Sequence, residues 1–422
     1  MNQPHKPGPV VSIFYRTFFR DSHKQLTNSP ACHAEPKTPA SPWVMFGVAV
    51  AAAILIPVQT VSAAGACSKT AQAAFNACKN EVKDDVWIGR GNCYNVSDPE
   101  EQTECLSSLV EETKEASGFC AEQRQARLEL CDELTTPSEV AGDMPYDPDF
   151  RLFVDPTMIG NGVAPNPFFP LVDTYQRVYL AYEYDDDEIE LVERITVTVT
   201  DATKKIPEDL GEEEGPPDFQ TDCVVVNDLV EEVLDGGIYD RRPLENTDDW
   251  YAQRYLNGDV IYCGEIARDY VYPEGDMPDD PAIPELFEIE GSFKWGRDGA
   301  KPGILIEANP VEGHVYRQEM ALGDAEDAAE VVNANYVFDD GHAEDAYVPE
   351  EAEDIVEFFC GDESDRRCVV TRDFTPIEPD TNEFKFYAED IGPILEFNPG
   401  DGSFALLVIC TYCGGLPPPP SL

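Results

Sequence analysis

Two hydrophobic periods divide the chain. Between residues 67 and 134, small and apolar residues recur at intervals of three and four, which is typical of one face of a helix. From about Leu171 the period becomes two, and residues 194–200 alternate apolar and polar as a half-buried strand does. We therefore predict an α+β protein in two parts. A disulfide-linked antiparallel helical hairpin is followed by an antiparallel β domain, a barrel or half-barrel.

The chain divides into five segments. We predict a signal peptide with a long n-region at 1–66, a cysteine-rich helical hairpin at 67–135, and a linker rich in Pro and Asp at 136–170. The antiparallel β domain would occupy 171–413 and a disordered, proline-rich tail 414–422.

An apolar run at 44–58 indicates export. It is shorter than the about 20 residues that a membrane span needs, and the small residues at 61–63 and 64–66 fit a cleavage site. We expect a periplasmic or extracellular protein with no stable membrane insertion after cleavage. A lipoprotein modified at Cys67 is less favoured, because Ala64 stands where such signals usually have Leu. An uncleaved membrane anchor ranks last.

Short strands and turns fill the second half of the chain. Residues 223–226 form one apolar run, and Asn257-Gly258 between two further runs predicts a two-residue hairpin turn. Further strands are predicted at 286–295, 303–308, 313–320, 331–338, 354–360, 367–374, 382–389, 393–398 and 403–410. This spacing predicts one antiparallel sheet, curled or closed.

Six cysteines mark the helical part. Their position numbers, taken in nested pairs, add to the same value, as antiparallel pairing requires. We predict the disulfides Cys67–Cys131, Cys78–Cys120 and Cys93–Cys105. Gln123, Arg124 and Arg127 fall near the helix seam, where a coiled coil carries large apolar residues. Disulfides worth about 2–4 kcal/mol each would offset that thin seam.

Six more cysteines lie in the β part, and an even count in an exported chain favours disulfides. Cys360 and Cys368 bracket a polar loop and would staple a hairpin. Cys410 and Cys413 form a C-x-x-C that favours a structural disulfide, or pairing to other cysteines, over redox chemistry or zinc. Cys223 and Cys263 then remain to pair with each other.

The net charge of −54 excludes one class of partner. Residues 67–422 hold 24 basic and 81 acidic side chains, so we predict no nucleic-acid binding. Binding of Ca²⁺ or of a cationic partner is one alternative. The acidic blocks at 185–187 and 212–214 are not spaced like a calcium loop, which favours a solvated acidic surface. We predict no metal and no cofactor.

Catalytic motifs are missing from the sequence. After the signal region only His314 and His342 remain, in different segments, and no nucleophile-elbow, metalloprotease or nucleotide-binding pattern occurs. This favours a protein that is not an enzyme.

Several short motifs resemble an uncharacterised family of secreted bacterial β-rich proteins. They are NPFFPL at 166–171, DWYAQ at 249–253, YRQE at 316–319, AED at 325–327, TRDFTP at 371–376 and KFYA at 385–388. In some members a cysteine-rich segment similar to residues 93–131 precedes them. The resemblance implies a secreted protein without an established activity. This chain departs from the pattern at Cys263, where an aromatic residue is usual, and at His314, where Asp is usual.

Three functions stay open. The leading hypothesis is a non-catalytic binding or carrier module, for an apolar ligand held in a cavity of the curled sheet. Residues that would line it are Trp250, Tyr251, Trp295, Tyr316 and Arg317, although the two tryptophans would equally suit a packed core. The alternative is a structural or protein-interaction module of the cell surface, with the hairpin as a docking arm. A hydrolase would need two carboxyls in a cleft within about 10 Å of each other. A hollow β domain favours the carrier, and a filled one favours the interaction module.

Overall fold

The computed structural model describes residues 65–134, 146, 152–185, 188–206, 221–234, 237–272, 284, 286–289, 291–411, 413 and 416–417. Almost all of the expected signal peptide and tail, and most of the acidic insertions that follow residues 206 and 272, lie outside these residues.

The helical part is an antiparallel hairpin, as predicted. Helix α1 spans Ala66–Tyr94 and helix α2 spans Pro99–Glu133. Asp98 caps α2, because its Oδ1 accepts hydrogen bonds from the backbone N–H groups of Glu100 and Glu101 at 2.8 and 3.1 Å. Pro99 occupies the first turn, where its missing N–H costs nothing.

Three disulfides hold the two helices together. Cys67–Cys131, Cys78–Cys120 and Cys93–Cys105 join Cα atoms 6.0, 5.8 and 5.6 Å apart. These distances are in the usual range for a disulfide. At Gly89 the two helices approach so closely that a Cβ would lie 2.7 Å from Leu109 Cδ1.

Two polar residues expected beside the seam contact the β domain instead. The Arg127 guanidinium donates from Nε and Nη2 to the two carboxylate oxygens of Glu326 at 2.8 and 2.7 Å. Gln123 Nε2 donates to the backbone carbonyl of Ile377 at 2.8 Å. The expectation that these residues weaken the hairpin is therefore wrong, because they fasten it to the β domain.

The outer part of the hairpin makes no hydrogen bond or ion pair with the described residues of the β domain. We call residues 79–117 the distal arm. Its buried residues all lie on the faces that the two helices turn to each other; they are Val82, Gly89, Cys93 and Leu109. Gln123, which contacts the β domain, is 24 residues from Pro99. At 1.5 Å per residue the arm therefore reaches about 36 Å from that contact.

The β part is a single antiparallel sheet. Its strands are β1 Gln176–Asp185, β2 Glu188–Ile206, β3 Thr221–Val233, β4 Arg241–Gln253, β5 Val260–Ile266, β6 Asp269–Val271, β7 Leu286–Glu288, β8 Lys301–Ile306, β9 Val315–Arg317, β10 Glu319–Met320, β11 Ala328–Tyr336, β12 Cys368–Phe374, β13 Asn382–Ala388, β14 Gly392–Phe397 and β15 Phe404–Cys410. The pairing order is β10-β8-β5-β4-β3-β2-β1-β15-β14-β13-β12-β11-β9; in addition, β6 pairs with β4 and β7 pairs with β6.

One short segment joins the two ends of this order. Strand β9 pairs with β11 and strand β10 pairs with β8, and only Gln318 separates β9 from β10. Gly303 allows this approach, since a Cβ there would collide with the carbonyl group of Gln318. The sheet is thus a nearly closed barrel, which confirms the predicted fold class.

One predicted strand is a helix. Residues 354–360 fall in α3, Glu353–Cys360. Ile355, Val356 and Phe359 are buried at helical spacing, and acidic residues occupy the first turn, where they favour the helix dipole. A short apolar run fits a strand or a helix, and the alternation in the neighbouring segments is typical of strands. The strand predicted at 354–360 is therefore wrong.

The predicted Asn-Gly turn is longer than two residues. Gln253 pairs with Val260, so residues 254–259 form the connection between β4 and β5. The backbone N–H of Tyr255 donates to the carbonyl of Leu152 at 2.8 Å instead of continuing the hairpin ladder. The segment before β1 therefore competes for the end of β4 and shortens the strand.

The cysteines of the β domain form two disulfides and one close pair. Cys360–Cys368 joins the end of α3 to the start of β12, and Cys410–Cys413 closes the C-x-x-C. Cys223 and Cys263 are buried thiols whose sulfur atoms lie 2.8 Å apart.

We expect Arg127→Ala to detach the hairpin from the β domain. The substitution leaves the Glu326 carboxylate buried without its cation, a change that typically lowers the free energy of unfolding by about 3–5 kcal/mol. Urea unfolding measures the loss. Arg124→Ala is the matched control, because this half-buried arginine of the same helix donates across the hairpin to Gln72 and, among the described residues, makes no hydrogen bond to the β domain. Equal losses for both variants would contradict the prediction.

We expect Cys223 and Cys263 to be joined when the protein folds in an oxidising compartment, because burial holds their sulfur atoms together. The exported protein is denatured with an alkylating reagent and no reductant, and its peptides are mapped by mass spectrometry. The expected product is a single cross-linked peptide pair, alongside the Cys67–Cys131 pair as an internal control. Alkyl groups on both thiols, with that control pair intact, would refute the bond.

Candidate functional site

The residues predicted to line a cavity have separate surroundings. Tyr251 is fully buried; its ring stacks on Tyr262, with centroids 4.8 Å apart, and meets the edge of Phe169. Tyr316 is also fully buried. The other three predicted lining residues, Trp250, Trp295 and Arg317, have different surroundings.

Trp250 and Trp295 pack near the rim of the core. The Lys204 ammonium lies 5.2 Å from the Trp250 ring centroid, and Trp295 meets Phe153 edge to face at 6.2 Å. Arg317 lies at the junction with the hairpin, its guanidinium carbon 5.7 Å from the Tyr146 ring centroid. Tyr251, Tyr262 and Phe169 thus fill the interior, and Arg317 belongs to a different region.

Carboxyl groups line the inner face of strands β3, β4 and β5. Asp228 on β3 lies opposite Thr247, and Asp249 on β4 lies opposite Glu265 on β5. The three acids are only 2, 1 and 4% exposed. The sequence carries a signal for Asp228, which alternates in register with Val224, Val226 and Val230. Because the chain holds 83 acidic residues, this alternation alone does not single out Asp228.

A tyrosine links two of these acids. The Tyr262 hydroxyl oxygen lies 2.6 Å from Asp249 Oδ1 and 2.7 Å from Glu265 Oε2. One hydroxyl proton cannot serve two carboxylates, so one of the two carboxyls must itself be protonated. Burial raises the pKa of Asp249 well above its usual range, which favours its neutral form.

Asp228 is the most isolated of the interior acids. Among the described residues, neither of its carboxyl oxygens has a hydrogen-bond partner. Burial raises its pKa well above the usual range, and the neighbouring Glu245 and Glu396 raise it further, while Arg177 opposes them. Burial without a hydrogen-bond partner therefore favours the protonated, neutral form of this side chain.

A second group surrounds one lysine. Lys385 Nζ lies 3.0 Å from Glu396, 3.4 Å from Asp373 and 3.7 Å from Glu383. Burial alone would lower the pKa of Lys385, but these carboxylates outweigh it and raise the pKa. Burial also raises the pKa of Asp327 to about 6. One ammonium thus lies within 4 Å of three acids and stabilises their charged forms.

The carboxyl groups of this network are buried, which limits the access of a substrate to them. Substrate cannot reach Asp228, Asp249 or Glu265 without opening the sheet, so the carboxyl pairs do not form the cleft that a hydrolase requires. Within the described residues, no group of three or more His, Cys, Asp and Glu side chains is placed to hold a metal ion.

The distal arm presents the other candidate surface. Trp87, Tyr94 and Val110 are 68, 65 and 66% exposed, and Ile88 is 43% exposed. Trp87 and Tyr94 are seven residues apart on α1 and so share one side of the helix. In the described part of the chain, no helix has the length and apolar character that crossing a membrane requires.

Comparison with known proteins assigns no family. No family model matches the chain, and neither does any curated protein. Similar solved structures include a protein from Bacteroides fragilis named as exported, with a YmcC-like fold. It is 16% identical, with 58% of this chain and 99% of that one covered and a TM-score of 0.28. Another, from Parabacteroides distasonis and named as a lipoprotein, is 10% identical, with 59% and 100% covered and a TM-score of 0.25.

We expect Asp228→Asn to stabilise the protein at pH 8 and to have little effect near pH 4. The raised pKa means that the folded state keeps a proton which the unfolded chain, with an Asp pKa of about 3.9, has already lost. The free energy of unfolding therefore falls as pH rises above about 4, at about 1.4 kcal/mol per unit, up to the folded pKa. Asn is neutral in both states and removes this loss.

Urea unfolding between pH 4 and pH 8 measures the difference. The control is Asp222→Asn on the same strand, whose carboxylate is about half exposed and faces Lys205 at 3.8 Å. It should show no gain that grows with pH. A gain of equal size in both variants, or a loss at pH 8 in Asp228→Asn, would contradict the buried, protonated state.

Proposed function

We propose that the protein is an exported, non-catalytic interaction module that presents its helical arm to a protein partner. The observation that carries this proposal is the distal arm itself. Within the described part of the chain it makes no hydrogen bond or ion pair with the β domain, and it leaves Trp87, Tyr94 and Val110 about two-thirds exposed. Large apolar side chains grouped on an otherwise polar surface are typical of interaction sites.

The construction of the arm suits binding. The Cys78–Cys120 and Cys93–Cys105 bridges fix one helix against the other along its length. A rigid support lowers the entropy that binding would otherwise cost. Tryptophan and tyrosine are enriched among residues that dominate interface energies, so Trp87 and Tyr94 are suitable anchors.

The charge of α2 indicates the chemistry of the partner. Residues 99–117 carry six glutamates and one lysine. An apolar anchor beside an acidic helix fits a protein surface with an apolar recess and basic groups at its rim.

Disulfides support export. Five occur among the described residues, a density typical of oxidising compartments. The sulfur of Cys67 is bonded to Cys131, which supports a soluble exported protein over a lipid thioether at that residue.

A carrier for an apolar ligand has less support. Fully buried tyrosines and phenylalanines occupy the β domain together with the carboxyl network. These buried side chains in the interior favour an interaction module over a carrier.

Site-specific cross-linking in the source cell tests the proposal. A photoreactive amino acid at position 94 or 110 should give one discrete product with another protein. The control position is Tyr239 of the β domain, which is 94% exposed and should give none. The partner is then purified for affinity measurement.

We expect Trp87→Ser to weaken binding of that partner at least about tenfold, since an anchor of this kind contributes about 2 kcal/mol or more. Tyr239→Ser should leave the affinity unchanged. Equal affinities of Trp87→Ser and the native protein, or cross-linking only from position 239, would overturn the proposal.

A further inference from the structure

A cavity of about 250 Å³ lies where the open end of the hairpin meets the β domain. Its walls come from the first turns of α1, the end of α2 and the strands at the barrel closure. The residues that line it include Ala66, Cys67, Arg127, Lys301, Arg317 and Met320.

The lining of this cavity is cationic. Arg127, Lys301 and Arg317 contribute three positive charges, and Glu326 contributes one negative charge. This excess is notable in a chain with a net charge of −54. Because a negatively charged protein has few clusters of basic side chains, this cavity is a candidate site for an anion.

The start of α1 adds to the positive potential. Ala66 and Cys67, the first residues of this helix of 29 residues, line the cavity. No side chain caps this end, and no acidic residue lies in its first turn. The first backbone N–H groups have no acceptor within the helix, and the helix dipole favours an anion beside them.

Arg127 supplies a separate observation. Its side chain lines the cavity and is only 4% exposed as a residue. Two of its nitrogen atoms bond to Glu326, but Nη1 is buried and has no hydrogen-bond acceptor among the described residues. A buried donor without an acceptor is costly, and an anion in the cavity adds negative potential beside this guanidinium.

Apolar groups complete the walls. Met320 and Leu134 line the cavity together with the ring of Tyr146, whose hydroxyl donates to the carbonyl of Pro302 at 2.8 Å. The volume exceeds the about 150 Å³ that holds benzene in an engineered cavity. A small organic molecule therefore fits.

We propose that this cavity binds a small organic anion. Its carboxylate or phosphate lies against Lys301, Arg317 and the first turn of α1, and its apolar body lies against Met320 and Leu134. The site is separate from the distal arm, so its occupation does not depend on the proposed partner.

Calorimetry on the purified exported protein tests the site with benzoate and phenyl phosphate, against neutral benzyl alcohol. Both anions should bind and raise the melting temperature, and benzyl alcohol should do neither. Amide NMR signals of Thr70 and Ala71, which line the cavity in the first turns of α1, should shift on binding. Absence of binding by both anions at millimolar concentration, or shifts that spare this helix end, would overturn the proposal.

Lys301→Gln should weaken binding of both anions at least tenfold. Arg297→Gln removes one charge from a side chain that is 75% exposed and should leave the affinity unchanged. Equal weakening in the two variants would indicate a general charge effect and refute the site. Inorganic phosphate should bind more weakly than phenyl phosphate, and equal affinities would refute the apolar part of the site.

Discussion

The buried ion pair between Arg127 and Glu326 determines how the two parts of this protein meet. Both carboxylate oxygens accept a hydrogen bond from the guanidinium, a geometry that recovers much of the energy lost when two charges leave water. Gln123 adds one hydrogen bond from the same face of α2. Leu130 of α2 also packs against Val315 and Ala328 of the β domain. Together these contacts set the direction of the distal arm and enclose the cavity beside it.

The β domain also buries charged groups, but it stabilises them in a different way. Lys385 lies beside three carboxylates at once, and burial raises the pKa values of Asp228 and Asp249, which favours their neutral forms. The Tyr262 hydroxyl indicates such protonation, because its single proton cannot serve both Asp249 and Glu265. Buried carboxyl groups and aromatic rings thus share the interior of the β domain. At Asp228 the network stays unsatisfied, because neither carboxyl oxygen has a partner among the described residues.

Features that depend on order along the chain could be predicted from the sequence. Nested cysteine pairs follow from the geometry of a hairpin, and alternation along residues 194–200 follows from the geometry of a strand. The partner of Arg127 could not be predicted, since 199 residues separate it from Glu326. The burial of Asp228 depends on strands closing around it, which no local pattern describes. The helix at Glu353–Cys360 was missed because a short apolar run fits a strand equally well.

The hairpin that carries the distal arm and the cavity share one structural element, the Cys67–Cys131 bridge. This bridge closes the base of the hairpin and also lines the cavity. An anion held there would contact the start of α1 on one side and Lys301 of the barrel on the other. Because a ligand that binds only the assembled form stabilises that form, its binding free energy would add to that of the Arg127–Glu326 joint. The exposed aromatic residues of the distal arm would then be held more firmly relative to the barrel, although no ligand atom touches them.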